Sequence, residues 1–143
     1  MLGKISLLIM RVGTGMLLVL WGSVRLFDDG MGTKLAEKYY GGVGAASNIQ
    51  LAFASAEVVI GALVVLGLFR RVSLVGAAII LVGGALPIWR HFLDPFGRYL
   101  FASPEEANLL FFPSITVAGA ALALIAFREH DTLALDNLVK RKG

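Results

Sequence analysis

The stretch IQLAFASAEVVIGALVVLGLFRRVSLVGAAIILVGGALPIWRHF, residues 49–92, decides the fold. From Ile49 to Phe69 its only charged group is Glu57, then Arg70 and Arg71 interrupt, and a second apolar run continues from Val72 to Phe92. About 20 apolar residues are enough to cross the hydrocarbon of a bilayer. Within it a helix satisfies every backbone polar group of its own segment. The two-residue basic turn is too short to contain a folded loop, so the stretch reads as a transmembrane helical hairpin.

Two further runs flank the hairpin. Ile5–Phe27 follows Lys4 in the manner of a signal peptide, but it is too long, contains Arg11 and has no small-residue cleavage site after it. A retained first span is therefore expected. Leu109–Phe127 carries Pro113 near its first turn, where a missing N–H costs little. Of the 143 residues 57% are hydrophobic and 16% charged, with a mean hydropathy of +0.79. Soluble domains run near 45–50% and about 25% respectively. Four spans take about 80 residues, which leaves no room for a separate soluble domain, so residues 1–143 read as a single membrane domain.

Lysine and arginine near the span ends set the expected orientation. Lys4, Arg11, Arg70, Arg71, Arg128, Lys140, Arg141 and Lys142 make eight on one side, against five, Arg25, Lys34, Lys38, Arg90 and Arg98, on the other. The fold class is thus an all-α integral membrane, four-transmembrane-helix bundle with both termini in the cytoplasm and interfacial external loops. Residues 28–48 include Lys34–Tyr40, a short interfacial helix ended by Gly41 and Gly42. Residues 94–108 form an aromatic-rich loop suited to the interface. In the tail, residues 131–142, Leu135, Leu138 and Val139 make one stripe ahead of Lys140, Arg141 and Lys142. That pattern predicts a short amphipathic helix whose basic end meets anionic lipid.

The composition excludes several chemistries. Without cysteine there is no disulfide, no CxxC redox centre, no iron–sulfur site and no thiolate zinc site. The two histidines, His91 and His130, fall on opposite sides of the membrane in this topology, so no multi-histidine metal centre is expected. The formal charge of +3 is concentrated at span ends and in the tail, as orientation requires, and does not indicate nucleic acid.

Glu57 is the most informative residue, roughly 12 Å inside the membrane along its helix. A carboxylate at that depth costs about 2.5–3.5 kcal/mol on insertion scales and faces the bundle interior, with a partner or a function. Two readings stay open: a proton-accepting or hydrogen-bonding group at a quinone or small-molecule pocket, or a structural ion pair or protonated acid. Arg11 is the first candidate partner, with Arg25 and Arg90 approaching from the external side. Snorkelling to the cytoplasmic headgroups is the alternative for Arg11. His91, beside Trp89 and Arg90, reads as an interfacial anchor or a weaker pocket candidate. The glycines of the spans read as packing devices.

These features resemble the DoxX family of small four-helix membrane proteins. The resemblance rests on Arg11 and Gly15, on Trp21-Gly22 before Arg25-Leu26, on Glu57-Val-Val-Ile-Gly61 leading to Leu66-Gly-Leu-Phe-Arg-Arg71, on His91, and on Leu135-Asp136. It covers nearly the whole chain through short motifs. Arg25 stands where the family usually has Lys, Ala134 replaces a tail Ser, and Asp94-Pro-Phe-Gly97 is unusual, so the resemblance is to a divergent branch. It implies association with membrane oxidoreductases, since relatives form the membrane part of a thiosulfate-oxidising, quinone-reducing complex or assemble with thiol- and superoxide-handling enzymes. It also supports Glu57 and Arg11 as the polar core of a pocket.

The expectation is an accessory or anchoring subunit of a membrane oxidoreductase or energy-converting complex in a bacterial inner membrane. Its partners are other membrane subunits and lipids, nothing is bound covalently, and a quinone or a lipid is the expected ligand. The alternatives are a quinone-reducing component of a sulfur-compound oxidoreductase and, third, a small-solute transporter, disfavoured by the lack of a paired inverted repeat.

Overall fold

A computed structural model describes residues 1–28 and 30–140, and no strand occurs among them. The main helices are α1 (Leu2–Phe27), α2 (Met31–Tyr39), α3 (Ser47–Leu66), α4 (Arg70–Ala85) and α6 (Pro113–Ala126). The short helices α5 (Arg90–Leu93) and α7 (Leu135–Lys140) and single 3-10 turns complete the chain. Four segments are long and apolar enough to cross a membrane: Leu2–Phe27, Ser47–Leu66, Arg70–Ile88 and Pro104–Ala126. The bundle has a tail end, with the start of α1, the end of α3, the start of α4 and α7. Its opposite loop end carries α2, α5 and the 94–112 segment.

α1 runs antiparallel along α3 with the backbones nearly touching. A Cβ on Gly15 would lie 2.7 Å from the Gly61 carbonyl, and one on Gly22 would lie 2.7 Å from that of Ala54. Small residues permit this approach where lipid supplies no hydrophobic drive between helices. α4 packs on α3 and α6, and Leu18, Val64, Leu74, Ala77 and Leu124 form the apolar core. Ile9, Leu20, Val59, Val72, Ile79 and Leu122 point outward and are exposed. Such an exterior suits a lipid solvent.

Three boundaries differ from the sequence reading. The α3–α4 turn is Gly67–Phe69 instead of Arg70-Arg71, because Gly67 takes the left-handed conformation (φ 70°) that ends α3. Arg70 then opens α4. The third span stops at Ile88, where Pro87 converts the helix to a 3-10 turn, so Trp89 to Phe92 lie beyond it. The fourth span starts with 3-10 turns and becomes α-helical only at Pro113. The Lys34–Tyr40 helix is present as α2, closed by Gly41 and Gly42 at positive φ, with the Gly42 N–H donating to the Ala36 carbonyl at 2.9 Å.

Candidate functional site

Glu57 is 4% exposed and faces α1. Its Oε2 lies 2.6 Å from Arg25 Nη1, and the Arg25 guanidinium also sits 5.0 Å over the Phe53 ring. The neighbouring Tyr40 hydroxyl donates to the Gly84 carbonyl of α4 at 3.1 Å. Burial raises the Tyr40 phenol pKa, while nearby Arg25 pulls it down and Glu57 adds to the rise. One carboxylate, one guanidinium and one phenol thus meet where α1, α2, α3 and α4 converge at the loop end.

Arg11, the first candidate partner of Glu57, is elsewhere. The contact of Gly15 with Gly61 puts Arg11 level with Val65, about two turns from Glu57. There Arg11 Nη1 donates to the Val64 carbonyl at 3.0 Å and to that of Val65, and Nη2 donates to Leu133 O at 3.2 Å. Arg11 therefore caps the C-terminus of α3, where a helix presents unpaired carbonyls and negative dipole charge. The offset follows from the register of α1 on α3: Gly22 packs on Ala54 and Glu57, so the α1 arginine within reach of the carboxylate is Arg25 and not Arg11.

The tail end holds the larger polar network. Asp131, 2% exposed, lies 2.9 Å from Arg11 Nε and 3.7 Å from Arg70 Nη1, and the pairing is ionic, since neither carboxylate oxygen is aligned for a hydrogen bond. Arg70 also donates to the carbonyls of Arg128 (2.9 Å) and Asp131 (2.8 Å) and to Asn137 Oδ1 (2.8 Å). Asp136 accepts the backbone N–H groups of Phe69 (3.0 Å) and Arg70 (2.9 Å), so the tail supplies the N-terminal cap that α4 lacks locally. Burial alone would raise the Asp136 pKa, but these two N–H groups and the Arg70 guanidinium outweigh it and hold it below the ordinary carboxylate value. Ala134 packs where a Cβ on Gly67 would clash, at 2.6 Å. The tail is strapped to its own bundle through Asp131, Ala134, Asp136 and Asn137, an attachment that its apolar stripe did not announce. Val139 is exposed, while Arg141, Lys142 and the side chain of Lys140 lie outside the described residues, so the lipid-binding basic cluster is not among the positioned groups.

His91 is buried in an aromatic cluster separate from the Arg25–Glu57 pair, its ring centroid 4.8 Å from Phe101, 5.1 Å from Phe111 and 6.0 Å from Tyr39. Arg90 is exposed and stacks 5.8 Å over Trp89, away from Glu57. Of the five candidate pocket residues, the fold brings together Glu57 and Arg25 and disperses Arg11, Arg90 and His91. Sequence reasoning passed over Asp131, Asn137 and Tyr40 as site residues and met Asp136 only within the Leu135-Asp136 motif.

Chemically, these ion pairs tie helices together. Among the described residues no group of three or more His, Cys, Asp or Glu side chains is placed to hold a metal. No family model, no curated protein and no solved structure matches the chain.

Proposed function

We propose that the chain is a non-catalytic, DoxX-like membrane subunit that anchors or assembles an oxidoreductase or energy-converting complex in a bacterial inner membrane. Both termini lie in the cytoplasm, and the basic end of the tail, Lys140 to Lys142, meets anionic lipid. The observation that carries this reading is the closure of the buried charges on one another: Arg11 with Asp131, Arg70 with Asp131 and Asp136, and Arg25 with Glu57. A proton shuttle or a cofactor site needs a group within reach of its substrate; here the charged groups are committed to helix ends and neighbouring helices. The outward faces remain for lipid and for partner helices.

Purification of the tagged chain in mild detergent, with mass spectrometry of co-purifying chains, tests the reading. Oxidoreductase subunits are expected, and recovery of the chain with lipid alone overturns it. Reporter fusions at Gly143 and within residues 41–46 should report opposite sides of the membrane.

A second reading, a quinone-reducing component of a sulfur-compound oxidoreductase, draws on Arg25 Nε, which is buried beside Glu57 with no hydrogen-bond acceptor. A small shift would present that donor to a quinone carbonyl or a lipid ester. Under this reading Glu57→Gln lowers quinone-linked activity of the purified complex while assembly persists.

A further inference from the structure

We propose that His91 is an acid-sensitive latch that holds the 94–112 segment closed over the loop end of the bundle and releases it when the imidazole takes up a second proton. The latch stands independently of the subunit reading.

The geometry sets the protonation state. His91 Nδ1 accepts the backbone N–H of Asn108 at 3.0 Å, so Nδ1 carries no proton in the closed form and the ring proton is on Nε2. Asn108 is itself a junction, since its Oδ1 accepts the Leu110 N–H at 3.1 Å and starts the 3-10 turn that places Phe111 against the imidazole. Phe111 also packs on Tyr39 of α2, centroids 4.7 Å apart, and Phe101 covers the ring from the middle of the segment. One imidazole nitrogen thereby ties α5, α2 and the segment together. Protonation of Nδ1 would turn the acceptor into a donor facing another donor, removing the bond and adding repulsion.

The surroundings offer an imidazolium no compensation. The ring contacts are Tyr39, Phe101, Phe111 and the Asn108 amide, none of them anionic. On its own element Arg90 stacks on Trp89, and Asp94 just beyond is occupied by the N–H groups of Arg98, Tyr99 and Leu100 at 2.9, 2.6 and 2.8 Å. On α2, Glu37 is exposed and the Lys38 ammonium lies 5.2 Å over the Tyr39 ring. On the segment, Arg98, Tyr99, Glu105 and Glu106 are exposed. Burial accordingly pushes the His91 pKa down from its ordinary value. The opened form has the ordinary value near 6.5 and binds more protons, so closure is complete above about pH 6.5 and weakens as pH falls through that range.

Release also reaches the Arg25–Glu57 pair. Tyr39 belongs to the latch, and the next residue, Tyr40, holds α2 to Gly84 of α4 beside that pair. Freed from its aromatic partners, the end of α2 loses the attachment made through Tyr39.

The test uses the full chain in lipid nanodiscs between pH 7.5 and 5.0. Nuclear magnetic resonance follows the His91 imidazole and the Asn108 amide, and hydrogen exchange follows residues 95–112, corrected for the intrinsic pH dependence. The two resonances should titrate with one midpoint. Corrected exchange of the segment should rise by up to roughly tenfold per pH unit below about 6.5, with α3 unchanged, and His91→Gln, which keeps an acceptor that does not titrate, should abolish the rise. Titration of His91 without a shift at Asn108, flat corrected exchange in the native chain, or an undiminished rise in His91→Gln overturns the latch. If His91→Gln does not fold, the joint titration in the native chain decides alone.

Discussion

Arg11, near the start of the chain, and Asp131, near its end, meet at 2.9 Å with side chains only 2% and 3% exposed. The contact closes the bundle across its sequence termini. Both charges have left solvent, so their energetic weight lies less in the net attraction than in what remains when one partner is removed.

Arg11→Met should therefore destabilise the fold by about 3–5 kcal/mol, the cost of removing one partner of a buried pair, with Arg70 at 3.7 Å left as the weaker neighbour of Asp131. It also strands the carbonyls of Val64, Val65 and Leu133. Arg11→Lys should recover only part of the loss, because a single ammonium cannot span carbonyls and carboxylate together. Thermal unfolding in detergent measures both, and a loss below about 1 kcal/mol for Arg11→Met would contradict the network.

Asp136 should contribute as a helix cap, and Asp136→Ala should cost about 0.5–2 kcal/mol. Its folded pKa lies below the ordinary 3.8, so its contribution is fully present above that value and is lost as pH falls through the lower folded one. Asp136→Asn should flatten this acid limb of the stability profile. An unchanged limb in a denaturant titration series would place the cap elsewhere.

Glu57→Leu should leave the half-buried Arg25 without its carboxylate and weaken the packing of α1 on α3 by up to about 3 kcal/mol, below the range for a fully buried pair. Glu57→Gln retains an acceptor for Arg25 Nη1 and should cost far less. Equal losses for the two variants, read from melting temperatures, would show that shape rather than pairing matters at this position.

Gly15 and Gly13 provide a matched comparison on one helix. Gly15→Ala places a methyl 2.7 Å from the Gly61 carbonyl and should destabilise by about 1–3 kcal/mol. Gly13→Ala meets nothing within 4 Å and should be neutral or stabilising by up to about 1 kcal/mol through helix propensity. Reversal of that order would contradict the α1–α3 contact.

The sequence by itself determined the all-helical class, the four apolar spans, and the burial of Glu57 with a partner, because length and hydropathy are local properties and a carboxylate in an apolar run must face inward. Which arginine meets Glu57 was decided only by tertiary structure. The choice depends on the axial register of α1 against α3, which rests on the backbone approach of Gly15 to Gly61 and of Gly22 to Ala54. The tail shows the same division. Its apolar stripe and basic end were readable as an amphipathic helix, but Asp131, Asp136 and Asn137 gained their meaning when the fold brought them to Arg11, to Arg70 and to the uncapped start of α4. Periodicity reports which residues share a face; it carries no record of the distant backbone groups that the face will meet.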